Sequence, residues 1–433
     1  MKSLENKLIR KQYIDVDGDK SFFVECDLDY PSHLHKLHEQ WPLAPEKYEV
    51  TYEDLSPFAR MQLSFSDFLK FERKKFSDNK LIPHFYPRRN YKCHIKNLIY
   101  YIKKGLILKK LHTAISFTQK AWLSDYITYV AHLRSVAKTT GQDFFVLVMK
   151  YIANQSFGKF YQNPENYRHI ELARTSEELK NLCSSPNFIS QNILSPNLVL
   201  VEMIPKRQVF KFQYVVASTI LELTRLFMYQ YWYDTLLPHF SPDIPELLMT
   251  DTDSILFSIE CDDFVTKYKK LPKMDFSNFP PGHVLYNTEN KMKLLHFKDE
   301  FPYNSYITEF IGLRAKLYCY KFMNIEGKTV DCVKAKGYNK YAASQNLNFE
   351  KFRLCQESFK TLKLSCRTIR GYNHSLFTIE QLKNVLSNFD SKLYVHSCNI
   401  HTSFYGSCLI IPYNSQCHIC NKKCLRFPIK VQN

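Results

Sequence analysis

Two aspartates, Asp251 and Asp253, stand one residue apart between the apolar runs Leu247-Leu248-Met249 and Ile255-Leu256-Phe257. Carboxylates at i and i+2 of an extended segment point to the same side and can converge on one hard cation. With Thr252 at the tip of a hairpin, the tight turn gathers them as well. Magnesium takes one or two carboxylates and completes its shell with water and substrate phosphates, so a short acidic turn suits it. The plainer alternative is a solvated Thr-Asp turn, because Asp favours turns through its own local hydrogen bonds.

A second set lies in Lys150-Tyr151-Ile152-Ala153-Asn154-Gln155-Ser156-Phe157-Gly158-Lys159. On a helix, Lys150, Asn154 and Phe157 fall at i, i+4 and i+7 and line one face. A cation to neutralise phosphate, an amide and a flat ring suit a nucleotide, and Gly158 allows another chain to come close. The alternative is an ordinary amphipathic helix with Phe157 in the core and Lys150 in solvent.

The elements that must hold these residues follow from periodicity. Residues 20–90 mix strand-like runs such as Ser21-Phe22-Phe23-Val24-Glu25-Cys26 with the loop Trp41-Pro42-Leu43-Ala44-Pro45. From Tyr91 to Phe160 the pattern is helical, with Leu98, Ile102, Leu106, Leu108 and Leu111 among basic residues. A polar stretch from Asn181 to Asn197 precedes an expected hairpin over Leu198 to Phe212. An amphipathic run, Ala217 to Leu237, leads into the acidic turn, and a strand-rich part follows Asp299 as far as Lys336.

Composition sets the broad class. The chain has 433 residues, 45% of them hydrophobic, which calls for several packed subdomains rather than one small core. Its formal net charge of +17, from 59 Lys and Arg against 42 Asp and Glu, asks for an anionic partner, nucleic acid before membrane surface. No membrane span or signal peptide is legible, so the expectation is a soluble intracellular protein. The 13 cysteines are mostly scattered and read as reduced thiols. Cys417, Cys420 and Cys424, near Cys408, offer CxxC spacing for zinc, against the alternative of unbound thiols in the tail. With only 10 glycines, the chain carries no glycine-rich phosphate loop.

Taken together, these motifs resemble those of family B DNA polymerases. Thr250-Asp251-Thr252-Asp253-Ser254 is similar to the YxDTDS metal motif, with Met249-Thr250 in place of an aromatic and a small residue. Lys150 to Gly158 is similar to KxxxNSxYG, with Gln155 for the serine and Phe157 for the tyrosine. Lys316-Leu317-Tyr318 resembles the KxY motif of protein-primed members. The likeness to the protein-primed polymerases of Maverick/Polinton transposons and related viruses runs from about Val24 to Gly406. It includes Asp27 to Pro31, Pro42 to Glu46, Phe297 to Glu300 and Glu309 to Arg314.

The resemblance implies an α+β, right-hand architecture of palm, helical fingers and thumb, lacking the N-terminal exonuclease domain. Residues 1–90 would be a palm-associated segment, 91–165 the fingers, 166–339 the palm, and 340–433 the thumb and cysteine-bearing tail. It implies magnesium-dependent addition of dNMP to a primer 3′-hydroxyl on a DNA template, with pyrophosphate leaving. Asp253 would be the principal metal ligand and Asp251 its neighbour. Lys150, Asn154 and Phe157 would meet the dNTP, and Lys316, Tyr318, Thr250 and Gly158 the DNA. A terminal protein would supply the primer, and no obligate oligomer is implied. The DxxNLYG aspartate that family B enzymes carry before the fingers has no match, since Asp27 to Pro31 has too short a spacing. The chain is therefore expected to begin after that motif, to have two catalytic metal sites of which the second is incomplete, and to extend a primer poorly or not at all. A catalytically dead DNA-binding remnant is the alternative.

Overall fold

The computed structural model describes residues 2–9, 17–65, 76–163, 166–205, 214–301, 306–324, 326–358, 360–372, 374–396 and 401–410. The fold is mixed α+β. Its helices and its small sheets alternate along the chain, and nearly every strand pair is antiparallel. The chain divides into two compact units, one of Met1–Lys120, Glu222–Cys366 and Leu382–Asn433, the other of Ala121–Leu221 and Arg367–Gln381.

The larger unit is built on Lys20–Asp29, the centre strand between Arg88–His94 and Ile107–Thr118. Val24, Cys26 and Leu28 alternate into the core. On the opposite face Glu25, Asp27 and Asp29 meet Lys92, His112, Arg89 and Lys109. Helix Ile95–Lys103 links the two outer strands and buries Leu98, Tyr101 and Ile102. Its first turn is capped by His94, whose Nδ1 accepts the Lys96 N–H at 3.2 Å.

The helical reading of 91–160 holds for Leu98 and Ile102 on helix Ile95–Lys103 and is corrected on either side of that helix. Ile107–Thr118 is a strand, and Leu108 and Leu111 lie opposite Leu28 and Cys26. The pairing slips between Glu25 and Cys26 and again between Asp27 and Leu28. Each bulge inserts a residue, so a two-residue alternation reads as spacings of two and three, which imitates a helix.

Helix Tyr214–Gln230 continues through a wider π turn, Tyr231–Leu236, and a last turn, Leu237–Phe240. From Leu226 onward it sends Tyr229, Trp232, Leu236 and Phe240 into the core shared with the centre strand. The acidic segment follows at once. Farther on, Tyr306–Arg314, Leu317–Met323 and Thr329–Ala335 form a three-stranded meander, as the strand-rich reading expects. Leu317 and Cys319 on its inner face pack with Phe349 and Phe352 of helix Phe349–Ser358.

The smaller unit pairs helix Ser124–Thr139 with helix Asp143–Phe160, and carries a sheet in which Leu198–Met203 lies between His169–Ala173 and Phe188–Ser195. Helix Ser176–Cys183 starts with a reciprocal cap between Thr175 and Glu178. The hairpin expected over Leu198 to Phe212 is displaced: its strands are Phe188–Ser195 and Leu198–Met203, and 206–213 lie outside the described residues. Pro196 marks the turn between the strands. Among the described residues no helix is long and apolar enough to cross a membrane.

Candidate metal and nucleic-acid site

The acidic segment is a hairpin in which Glu246–Asp251 pairs with Ser254–Ser258 and Asp251 lies opposite Ser254. The hairpin form of the expectation holds, because Thr252 sits at the tip with φ of 61°. A β-branched residue in the left-handed region is strained, so the tip must be tied down by its surroundings. The Asp253 N–H donates to the Asp251 carbonyl at 2.7 Å, and the Ser254 hydroxyl reaches the same carbonyl at 3.3 Å. The Thr252 hydroxyl donates to Asp251 Oδ1 at 3.3 Å.

Lys316 and Tyr318 come to this tip from the meander. Lys316 occupies the turn between Tyr306–Arg314 and Leu317–Met323, also with φ of 61°, and its Nζ lies 2.9 Å from Asp251 Oδ1. Tyr318 is half-buried on the outer face, opposite Gly312 and Lys334. Burial pushes its phenol above the ordinary range, and the charges of Asp251 and Glu300 add to that. Asp253 is exposed and its carboxylate has no protein partner among the described residues. Thr250, half-buried, pairs with Ile255 within the hairpin.

One positioning residue escaped the sequence reading. Gln40 spans the start of the acidic hairpin: its Nε2 donates to the Pro245 carbonyl at 3.3 Å and its Oε1 accepts the Leu247 N–H at 2.7 Å. The amide acts as a partner for the edge that Ser254–Ser258 leaves unpaired. Around it Tyr233 and Tyr229 donate to the carbonyls of Trp41 at 2.7 Å and Pro42 at 2.9 Å. The only sequence sign was the Pro-rich loop that follows Gln40.

In the smaller unit, Lys150, Asn154 and Phe157 share one face of helix Asp143–Phe160 as spaced, with Lys150 and Asn154 exposed and Phe157 half-buried. Phe157 stacks on Tyr161, ring centres 6.4 Å apart. A shallow cavity of about 560 Å³ opens on the opposite face, lined by Tyr126, Ile152, Gln155, Ser156, Lys159 and Gln162. Gly158 also borders it, and a Cβ there would meet nothing within 4 Å, so no contact inside the chain requires glycine.

Among the described residues no three His, Cys, Asp or Glu side chains converge to form a closed metal cage. The donor set at the hairpin is two hard carboxylates open to solvent, one of them without a protein partner among the described residues. That fits a cation such as magnesium, which draws most of its ligands from water and phosphate. Cys417, Cys420 and Cys424 lie outside the described residues. Comparison of the chain with protein-family models, with curated proteins and with solved structures gave no match in any of the three.

Proposed function

We propose that the chain is the nucleotidyl-transfer portion of a DNA polymerase similar to the protein-primed family B type. It would bind a DNA primer-template and dNTPs, with a terminal protein as the natural primer. The observation that carries the reading is the 2.9 Å contact between Lys316 and Asp251, which joins two motifs far apart in sequence at one hairpin tip. The +17 charge supports a polyanionic partner.

In this reading Asp253 and Asp251 would hold the magnesium. When bound, the metal would neutralise phosphate charge and raise the nucleophilicity of the attacking oxygen. The chain's own groups bind and orient. Lys316 would meet a phosphate of the primer end, Tyr318 would fix the terminal sugar, and Lys150 and Asn154 would grip the triphosphate, with Phe157 beside the base. Small misplacements of a 3′-hydroxyl cost rate steeply, which is the reason for rigid hairpins at this point. A right-hand arrangement of palm, fingers and thumb belongs to the same proposal.

A second reading, DNA binding without turnover, is favoured by one observation: Asp251 is already neutralised by Lys316, and no third carboxylate joins the pair among the described residues. Photocrosslinking tests the site in either case. A primer with a photoreactive 3′-terminal base should label the peptide bearing Tyr318, and a probe at the 5′ end should not. Equal labelling from both ends would remove the proposed role of this hairpin.

A further inference from the structure

We propose that Lys316 is an internal counter-ion that occupies Asp251 in the metal-free protein and gives way when a divalent cation binds. This rests on reading the acidic hairpin as a metal site. The two carboxylates at the tip are treated unequally. Asp253 has no partner among the described residues, whereas Asp251 Oδ1 receives the Lys316 ammonium at 2.9 Å and the Thr252 hydroxyl at 3.3 Å. Oδ1 is taken by the ammonium and the hydroxyl, and an ammonium this close repels a divalent cation at either carboxylate oxygen, so metal binding at Asp251 competes with the ion pair.

Geometry makes that exchange local. Both side chains of the pair are partly exposed, 46% for Lys316 and 31% for Asp251, so water and ions reach them. The turn carrying Lys316 is held by its own backbone, since the Lys336 N–H donates to the Lys316 carbonyl at 3.2 Å. Loss of the ion pair therefore leaves the turn in place. The released ammonium stays beside the new cation, where like charges repel, and it gains by turning to an anion that the cation brings, a phosphate oxygen above all. The lysine would pass from carboxylate to phosphate as the site fills.

The test is a Mn²⁺ titration of the full chain without nucleic acid, followed by water-proton relaxation. Lys316→Met should tighten Mn²⁺ binding about two- to fivefold, the scale of an exposed ion pair. Lys316→Arg, which keeps the charge, and Lys334→Met, on the neighbouring strand, should bind as the unaltered chain does. The gain should vanish when Asp251→Asn is added. Unchanged or weaker binding in Lys316→Met, or a gain that persists with Asp251→Asn, overturns the counter-ion role alone. Mn²⁺ binding that ignores Asp253→Asn overturns the metal reading of the hairpin and this role with it.

Discussion

Asp253 and Asp251 differ in their company more than in their position, and the difference was only half legible. Spacing alone put both carboxylates at one turn and allowed for Thr252 at a hairpin tip. The Lys316 ion pair depends on a contact between distant segments, which no local pattern encodes. Three buried histidines act as acceptors through Nδ1, and of these contacts only that of His35 is with a distant segment. His94 accepts the Lys96 N–H, and His35 accepts the Cys408 N–H at 3.0 Å. The Leu43 N–H donates to the Tyr30 hydroxyl, which leaves that hydroxyl's proton for His38 Nδ1 at 2.7 Å. Burial first, then nearby positive charge, pushes His38 and His94 from 6.5 down to about 4. A folded pKa below the unfolded one means that the unfolded chain binds more protons between these values. The stability these two neutral rings confer is whole above pH 6.5 and is lost as pH falls towards about 4. We expect the urea midpoint to drop over that window, at most about 1.4 kcal/mol per pH unit for each histidine. The dependence should flatten in His38→Gln, and a flat profile in the unaltered chain would refute the assignment.

At the scale of elements, the strand Ile107–Thr118 was hidden where its pairing slips. Leu108 and Leu111 look helical because the bulges opposite Asp27 and Glu25 break the two-residue alternation. The long run into the acidic turn was legible as a helix, Tyr214–Gln230, and from Leu226 onward its apolar residues do face a core. What fixes the acidic hairpin was not, because Gln40 works through a side-chain amide on a strand edge. Gln40→Ala removes both bonds to that edge, at 3.3 and 2.7 Å. It should destabilise the larger unit by about 1–2 kcal/mol, checked by a urea midpoint. Amide exchange at Leu247 should accelerate well beyond the global change. Exchange at Leu247 that rises only in step with global stability would show that Gln40 is a generic contact.

For the whole molecule, the motif resemblance foresaw the α+β class and composition the excess of basic residues, and neither could foresee how the chain returns on itself. The two strands Leu362–Tyr372 and Ser375–Leu386 cross from one compact unit to the other, so neither unit is a single stretch of sequence. The expected boundary at residue 91 falls inside the strand Arg88–His94, which pairs with Lys20–Asp29 in the larger unit. If the +17 charge serves DNA, affinity for a primer-template should fall about a hundredfold or more between roughly 50 and 200 mM salt. A salt-independent affinity would point away from phosphate contacts. The most direct measurement is the affinity for a dideoxy-terminated primer-template in Mg²⁺, with and without the next correct dNTP. The polymerase account predicts that the correct dNTP tightens binding several-fold, that an incorrect one does not, and that Asp253→Asn and Lys150→Ala each abolish the effect. DNA binding indifferent to dNTP and to both substitutions would contradict it and leave a DNA-binding protein without nucleotidyl transfer.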